Sequence, residues 1–512
     1  MATEPRRDDP AAAVARRLSA LTAALRTHRP RFHAAETGTV LAVGQGVAEI
    51  DGLPGVGIDE IVRLGSGAEG IALDLREERV GIALLDEAGG VAAGDEARRS
   101  GRVLDVPVGD ELLGRVVDAL GRPLDGHGPL GAAARAAVER DAPAILDRAP
   151  VNAPLETGLT VVDALVPIGR GQRELVIGDR QTGKSSLAID TVLRQRDHGV
   201  VAVYCAIGER AAAIVGLLAE LRRHDALRHT TVVATTEQDP PALRFLAPYA
   251  AMTMAEHFRD RGDDALVVFD DMTRHARAYR EISLLLRRPP GREAYPADIF
   301  FIHARLLERS THLRPALGGG SLTALPIVET EAQDIAAYIP TNLISITDGQ
   351  ILLAPDRFQK GILPAVDVGR SVSRVGGATQ FPAYRAVAGD LRLAYAQFEE
   401  LEHFARFATR LDEPTRRKVD RGERLRELLK QPRALPIAIP EQIAMVLALV
   451  EGLFDELAIE DVAAAAARVR HVFRARHGAL ARSIEAGAPL DREMRSTLLA
   501  TAAEAIGAPL GG

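Results

Sequence analysis

The feature that most constrains the fold of this 512-residue chain is the octapeptide Gly178-Asp-Arg-Gln-Thr-Gly-Lys-Ser185. It matches the phosphate-binding pattern G-x-x-x-x-G-K-[ST], in which glycines let successive backbone N–H groups point at phosphate oxygens. The apolar run Leu175–Ile177 precedes it, and the helix-forming stretch Ser185–Arg194 follows. A chance match in a glycine-rich turn would not be expected to have both a strand before it and a helix after it. The sequence therefore predicts a nucleotide site between a buried strand and a helix N-terminus.

Two side chains of this loop and one aspartate downstream carry the predicted chemistry. The Lys184 ammonium would lie on the outer phosphates, and the Ser185 hydroxyl is a ligand for Mg²⁺. Only four of the 63 basic residues are lysines, so Lys184 stands out as a compact ammonium rather than mere positive charge. The apolar run Leu266–Asp271 ends in two aspartates, of which Asp270 is the candidate for the magnesium hydration shell. Many strands end in aspartate, so Asp270 is a magnesium candidate mainly because a phosphate loop lies upstream.

Changes in sequence texture predict a multidomain chain. Residues 36–103 contain short apolar runs broken by glycine, which predict an N-terminal β-barrel. Residues 104–385 alternate strand and helix patterns, which predict a central α/β P-loop (RecA-like) nucleotide-binding domain. Residues 386–512 predict a C-terminal α-helical domain. The clearest strand candidates of the α/β region are Glu174–Ile177, Val200–Ile207, Thr231–Ala234, Ala265–Phe269 and Leu322–Val328.

Residues 1–35 form a polar arm rich in alanine and arginine. Its apolar side chains recur at helical spacing and Pro30 ends the pattern, which predicts one amphipathic helix. Such a helix is a docking element, a frayed terminus or part of a transit peptide, and Glu4, Asp8 and Asp9 count against the last. The residues of the stripe are Val14, Leu18, Leu21 and Leu25.

Composition excludes several classes of protein. The net charge of −7 argues against a protein that coats nucleic acid. No apolar run approaches the roughly 18 residues of a membrane-spanning helix. The first dozen residues carry charges of both signs without an apolar segment, so we expect no secretory signal. The single cysteine, Cys205, cannot form an internal disulfide, which fits a reducing compartment.

A third motif, Ser371-Val-Ser-Arg-Val-Gly-Gly377, places Arg374 among small residues late in the α/β region. Such an arginine could reach across to a phosphate on a neighbouring subunit. As a bare pattern it is not specific, and a surface salt bridge is the commoner role of an arginine.

Together these segments resemble the alpha subunit of the F-type ATP synthase, from the N-terminal arm to the final helices. The resemblance rests on long stretches rather than on short patterns. Besides Gly178–Ser185 and Ser371–Gly377, the matching stretches are Pro167–Leu175, Tyr279–Pro296, Tyr338–Asn342 and Ile344–Gln350.

The resemblance implies a ring of three alpha and three beta subunits around a rotating gamma subunit, with the N-terminal arm on the peripheral stalk. It implies that the chain binds ATP or ADP with Mg²⁺ without turning it over, while Arg374 serves the catalytic site of beta. Asp270 and Ser185 would hold the metal, and Gln431 would contact the base. The complex would couple ATP to H⁺ or Na⁺ transport on the cytoplasmic face of a bacterial inner membrane, and its membrane contact would come only through other subunits. The phosphate pocket would be lined by Gly178, Asp179, Arg180, Gln181, Thr182, Gly183, Lys184 and Ser185.

Three positions depart from the family pattern. Gly208-Glu209-Arg210 stands where alpha subunits usually carry glutamine and lysine, and it matches the catalytic beta subunit, whose glutamate positions the attacking water. Glu209 is therefore either a working carboxylate or a glutamate paired with a nearby arginine. Leu363 replaces an arginine near the adenine, and Arg433 replaces a second glutamine. Both changes bear on nucleotide occupancy and base preference.

Two other functions compete with the alpha-subunit reading. One is a self-sufficient ring ATPase resembling a secretion motor, in which Glu209 is catalytic. The stretches Tyr279–Pro296 and Tyr338–Gln350 are alpha-like and count against it. The other is a Rho-like RNA translocase, which the acidic net charge and the lack of an aromatic and basic barrel surface disfavour.

Overall fold

The structure is a computed structural model. It describes residues 18, 19, 22, 36–86, 90–131, 133–405 and 412–507, without the side chains of 403–405. Most of the predicted arm lies outside these residues, including Val14, Leu21 and Leu25. Its helix and its docking role therefore stay predictions.

The glycine-broken apolar runs at the start of the described chain form a closed six-stranded barrel, which confirms the predicted barrel. The strands pair in the order β1-β2-β5-β4-β3-β6, and all their pairings are antiparallel. Val40, Ile50, Val62 and Ile82 fill the interior. The strands are β1 (Thr37–Val43), β2 (Val47–Asp51), β3 (Glu60–Leu64), β4 (Glu69–Leu75), β5 (Arg79–Leu84) and β6 (Glu96–Val103).

The central domain contains an eight-stranded sheet in the order β18-β17-β12-β16-β15-β13-β14-β8. Its neighbouring strands are parallel except β17 and β18. All five strands that the apolar runs predict are present. The sheet strands are β8 (Val116–Val117), β12 (Glu174–Asp179), β13 (Val201–Glu209), β14 (Thr230–Thr236), β15 (Asp264–Asp270), β16 (Ser321–Thr330), β17 (Gly349–Leu353) and β18 (Val372–Ser373). Two small ladders pair β7 (Asp105–Val108) with β9 (Ala134–Ala137) and β10 (Pro154–Leu155) with β11 (Ile168–Gly169).

Helices bury both faces of this sheet. Along strand β12, Val176 packs into one hydrophobic cluster, whereas Leu175 and Ile177 pack into the cluster on the opposite face. A strand buried on both sides explains why its sequence is continuously apolar. The helices of this domain are α1 (Thr160–Leu165), α2 (Lys184–Gln195), α3 (Ala211–Arg223), α4 (Pro241–Asp260), α5 (Met272–Leu285), α6 (Ile299–Leu307), α7 (Tyr338–Ile346) and α8 (Pro355–Gln359).

The C-terminal region is a bundle of helices, as predicted. Leu391, Tyr395 and Phe398 are buried, and they lie on a helix that begins at Pro382. The predicted boundary between residues 385 and 386 thus lies inside this helix. The helices are α9 (Pro382–Ala405), α10 (Glu413–Leu429), α11 (Ile439–Val450), α12 (Ile459–Arg476), α13 (Gly478–Glu485) and α14 (Arg492–Ile506). Across the described ranges, every helix is too short or too polar to cross a bilayer.

Candidate functional site

The phosphate loop lies between the carboxyl end of strand β12 and the first residue of helix α2. Gly183 adopts the left-handed conformation (φ 97°) at the residue before the helix. A Cβ atom at Gly178 would lie 2.6 Å from the carbonyl oxygen of Leu353 on the neighbouring strand, so glycine is required there. The Thr182 hydroxyl donates to the Asp179 carbonyl (2.8 Å) and closes the turn.

The Lys184 side chain is buried inside this turn. Its Nζ donates to the carbonyl oxygens of Gly178 (2.9 Å) and Asp179 (2.7 Å). Burial lowers the pKa of Lys184, while the nearby carboxylates, led by Glu329, act in the opposite direction. A phosphate oxygen in the loop would compete with these carbonyls for the same ammonium, as the sequence predicts for this lysine.

Three carboxylates stand beside the loop at the ends of strands β13 and β15. Oxygen atoms of Glu209, Asp270 and Asp271 all lie within 4.8 Å of one another. Asp270 also accepts a hydrogen bond from the Tyr204 hydroxyl (2.6 Å). Ser185, Glu209 and Asp270 line one cavity of about 480 Å³. A hydroxyl with clustered carboxylates is an oxygen-only donor set, which fits Mg²⁺.

Glu209 is paired with Arg274. Its Oε1 lies 3.1 Å from Arg274 Nη2, and its Oε2 accepts a bond from the Arg210 backbone N–H (3.3 Å). The Arg274 guanidinium also contacts the Gly208 carbonyl and lies 3.6 Å from Asp271. Glu209 therefore has the arginine partner expected of a glutamate that does no chemistry. It also faces the cavity, as a working carboxylate must.

Arg180 points away from the turn. Its side chain is 70% exposed, and its Nε lies 3.1 Å from Glu329 Oε2. Asp179 is fixed by the Thr330 hydroxyl (2.6 Å) and the Gln333 backbone N–H (2.9 Å). The two residues after Gly178 thus anchor the loop to the end of strand β16.

The residues that the sequence relates to the base are Gln431, Leu363 and Arg433. Gln431 is buried, and its amide nitrogen donates to the carbonyls of Gly158 (2.7 Å) and Leu435 (2.8 Å). The Gln431 backbone N–H donates to Leu363 (2.8 Å), which is 41% exposed. Arg433 lines the cavity that contains Ser185. The Gln431 amide is therefore bound to backbone carbonyls, and its role at a base stays a prediction.

Arg374 lies at the other end of the sheet. Strand β18 pairs Ser373 with Gly349, which in turn pairs with Glu174, the first residue of β12. The phosphate loop follows the last residues of β12, where Gly178 pairs with Leu353. Four residues of parallel strand separate the two pairings, or about 13 Å. Arg374 is exposed, so the structure places it with solvent access and away from its own loop.

Comparison with known proteins decides the family. Residues 158–373 match the model of the ATP synthase alpha/beta family nucleotide-binding domain, and residues 380–505 match the C-terminal domain of the alpha/beta chain. The chain is 55% identical over 490 residues to "ATP synthase subunit alpha 2" of Syntrophus aciditrophicus, covering 96% of this chain and 94% of the relative. It is 56% identical over 489 residues to "ATP synthase subunit alpha 1" of Chlorobium luteolum, covering 96% of both.

The chain belongs to the alpha subunits of F-type ATP synthases. This confirms the resemblance to that family, the nucleotide-binding function and the place of the chain in a rotary ATPase. A third relative, "ATP synthase subunit alpha 2" of Albidiferax ferrireducens, is 59% identical over 441 residues, covering 86% of this chain and 83% of the relative.

Several residues of this alpha-subunit site had no predicted role. Tyr204 lies in an apolar run and Arg274 in a helix, so neither pattern marks them as site residues. Glu329 follows the buried run Leu322–Val328 in the same way that Asp270 follows its strand. Because the carboxyl ends of parallel strands meet at one edge, this repeated signal could have been used to find Glu329.

Proposed function

We propose that this alpha subunit holds Mg-nucleotide at its own phosphate loop without turning it over, and lends Arg374 to the catalytic site of a neighbouring beta subunit. The observation that carries the proposal is topological: Lys184 and Arg374 stand at opposite ends of strand β12. The arginine is exposed there, and its Nη2 donates a long hydrogen bond (3.4 Å) to the Ile344 carbonyl. An exposed guanidinium far from its own phosphate loop is suited to act across a subunit interface.

The metal would be held on this chain by the Ser185 hydroxyl and the Asp270 carboxylate. When bound, Mg²⁺ would neutralise charge on the phosphate oxygens. Arg180, Gln181, Thr182 and Gly183 would complete the phosphate pocket through the backbone of the turn. Two side-chain anchors keep this pocket in place, the Thr182–Asp179 bond and the Tyr204–Asp270 bond.

The partners follow from the same proposal. Beta subunits would alternate with alpha subunits in a ring around gamma, and residues 1–35 would meet the peripheral stalk. The head would lie on the cytoplasmic face of a bacterial inner membrane through the rest of the complex. Coupling would be to H⁺ or Na⁺, since the residues that select the ion belong to other subunits.

The test is ATP hydrolysis by the reconstituted alpha–beta–gamma complex carrying Arg374→Ala. An arginine that stabilises charge on the transferring phosphoryl group is worth about 10³–10⁵ in rate, so turnover should fall by that order. Nucleotide binding to the alpha site should stay unchanged, because Arg374 is remote from Lys184. Arg370→Ala is the matched control, since it removes an exposed arginine from the same segment. Equal effects of the two variants would contradict the proposal.

A second candidate function, independent hydrolysis at this site, is favoured by one observation. Glu209 lines the cavity beside Ser185 and Asp270, where a carboxylate could orient a water molecule. Its bond to Arg274 opposes this, because the carboxylate is then occupied by a charged donor. Independent hydrolysis requires the purified chain to turn over Mg-ATP without beta.

A further inference from the structure

Glu174 is a fully buried glutamate at the start of strand β12, with 0% of its surface exposed. Its Oε2 accepts a hydrogen bond from the Gln172 amide (2.7 Å). Within the described part of the chain, its Oε1 has no hydrogen-bond partner. Buried polar atoms are rarely left in this condition, so the unpaired oxygen calls for a function.

The carboxyl group lies beside strand β17, which pairs with β18, the strand directly before Arg374. Gly349, on strand β17, pairs with Glu174 on one side and with Ser373 on the other. A Cβ atom at Gly349 would lie 2.5 Å from Glu174 Oε2 and 2.9 Å from Oε1. The absence of a side chain at this glycine therefore leaves room for the carboxyl group directly beside strand β18.

A short polar network joins Glu174 to the residue before Arg374. The Gln172 amide that donates to Glu174 also lies 3.4 Å from the Ser373 hydroxyl. That hydroxyl donates to the Pro167 carbonyl (2.8 Å) and accepts from the Gly376 backbone N–H (3.1 Å). Hydrogen bonds of Ser373 thus connect strand β18 to the polar network that includes the unpaired oxygen of Glu174.

The electrostatic effects on Glu174 oppose one another: burial favours the neutral carboxyl group, whereas the charge of Arg374 favours the carboxylate. Burial raises the pKa of Glu174 well above its ordinary value, and the neighbouring Asp348 adds to the shift. Arg374 is a cation whose charge acts on the carboxyl group in the opposite direction. The guanidinium is therefore within electrostatic reach of Glu174, although among the described residues its direct hydrogen bond is the long contact with Ile344.

We propose that Glu174 is a positioning residue for Arg374: its unpaired carboxylate oxygen receives the guanidinium between engagements with the neighbouring subunit. The contact would hold the side chain at the edge of the sheet instead of leaving it free in solvent. Keeping a flexible arginine close to its working position lowers the ordering cost of each engagement. The inference rests on the proposed function, because it requires Arg374 to act in the partner's site.

A double-mutant cycle tests the inference in the reconstituted complex. Glu174→Gln keeps the size and the acceptor for Gln172 but cannot become the anion that the Arg374 guanidinium would stabilise. It should lower kcat by about 5- to 50-fold with KM unchanged, the range of coupling between interacting residues. In the Arg374→Ala background the same substitution should change kcat by less than about twofold. Single-turnover measurement gives the sensitivity that the slow background needs.

The outcomes separate the two proposals. Equal losses in both backgrounds would show that Glu174 acts only through the fold, and would overturn the inference alone. A wild-type kcat for Glu174→Gln would also overturn it. If Arg374→Ala by itself leaves turnover intact, the proposed function fails and this inference with it. Should Glu174→Gln not assemble, Glu174→Asp keeps the charge with a shorter reach, and should likewise lower kcat only when Arg374 is present.

Discussion

The pKa of Glu209 is subject to opposing effects from its surroundings. Burial raises the pKa of this carboxyl group, and Asp270 adds to the effect, whereas Arg274 acts against both. The 3.1 Å contact with Arg274 gives the ionised form a charged partner. At this position a carboxylate can serve the fold without serving a reaction.

Glu209→Gln in the reconstituted complex should therefore change ATP turnover by less than about threefold. The substituted side chain still accepts a hydrogen bond from Arg274, and only the negative charge of the carboxylate is lost. Steady-state hydrolysis at saturating Mg-ATP is the measurement. Glu331→Gln is a suitable control, since this exposed glutamate lies 3.7 Å from another arginine of helix α5, Arg277. A loss of orders of magnitude for Glu209→Gln alone would favour catalysis at the alpha site.

The position of the phosphate loop between strand β12 and helix α2 could be predicted because its chemistry requires fixed spacing along the chain. The same does not hold for Gln431, whose amide is turned to the backbone of Gly158, more than two hundred residues earlier in the sequence. Nor does it hold for Glu174, whose unpaired oxygen depends on Gly349 and Ser373 in neighbouring strands. Contacts between distant segments leave no local pattern.

At the scale of elements, apolar runs marked the strands of the central sheet because these strands are buried on both faces. Strand β6 (Glu96–Val103) has no such apolar run, since its residues are mostly polar and only Ala97 of them is fully buried. It closes the barrel through backbone pairing with β1 and β3. Backbone hydrogen bonds do not depend on side-chain type, so a polar closing strand has a weak sequence signal.

The contact between helices α9 and α10 gives a prediction for the C-terminal bundle. A Cβ atom at the buried Gly422 would overlap the ring of Phe398. Gly422→Ala should therefore destabilise the bundle by about 1–3 kcal/mol through overpacking. Thermal unfolding of the purified chain, followed by circular dichroism, measures the change in Tm.

Gly389→Ala is the matched control for this substitution. Gly389 lies on helix α9, and a Cβ atom there would meet nothing within 4 Å. The control should raise stability by about 0.5–1 kcal/mol, because alanine is the better helix former. If both alanine variants shift Tm in the same direction, helix α10 does not pack against Phe398 as closely as described.

At the scale of the whole molecule, one largely parallel sheet separates the phosphate loop from Arg374. Its carboxyl edge carries the loop Gly178–Ser185 and the carboxylates Glu209 and Asp270, whereas Arg374 follows an edge strand at the amino end. One subunit can thus hold a nucleotide at one edge and present a guanidinium at the other. Under the proposed function, each edge would face a different neighbour in the ring of subunits.

The most direct measurement compares Lys184→Gln with Arg374→Ala in the same alpha–beta–gamma complex, as initial rates of ATP hydrolysis. Lys184→Gln removes the ammonium that is proposed to contact phosphate at the alpha site. It should lower the initial rate by about tenfold or less, within the usual coupling between separate sites. Arg374→Ala should lower the rate by about 10³–10⁵. The reverse order, with Lys184 essential and Arg374 dispensable, would place the chemistry in the alpha subunit and contradict the account.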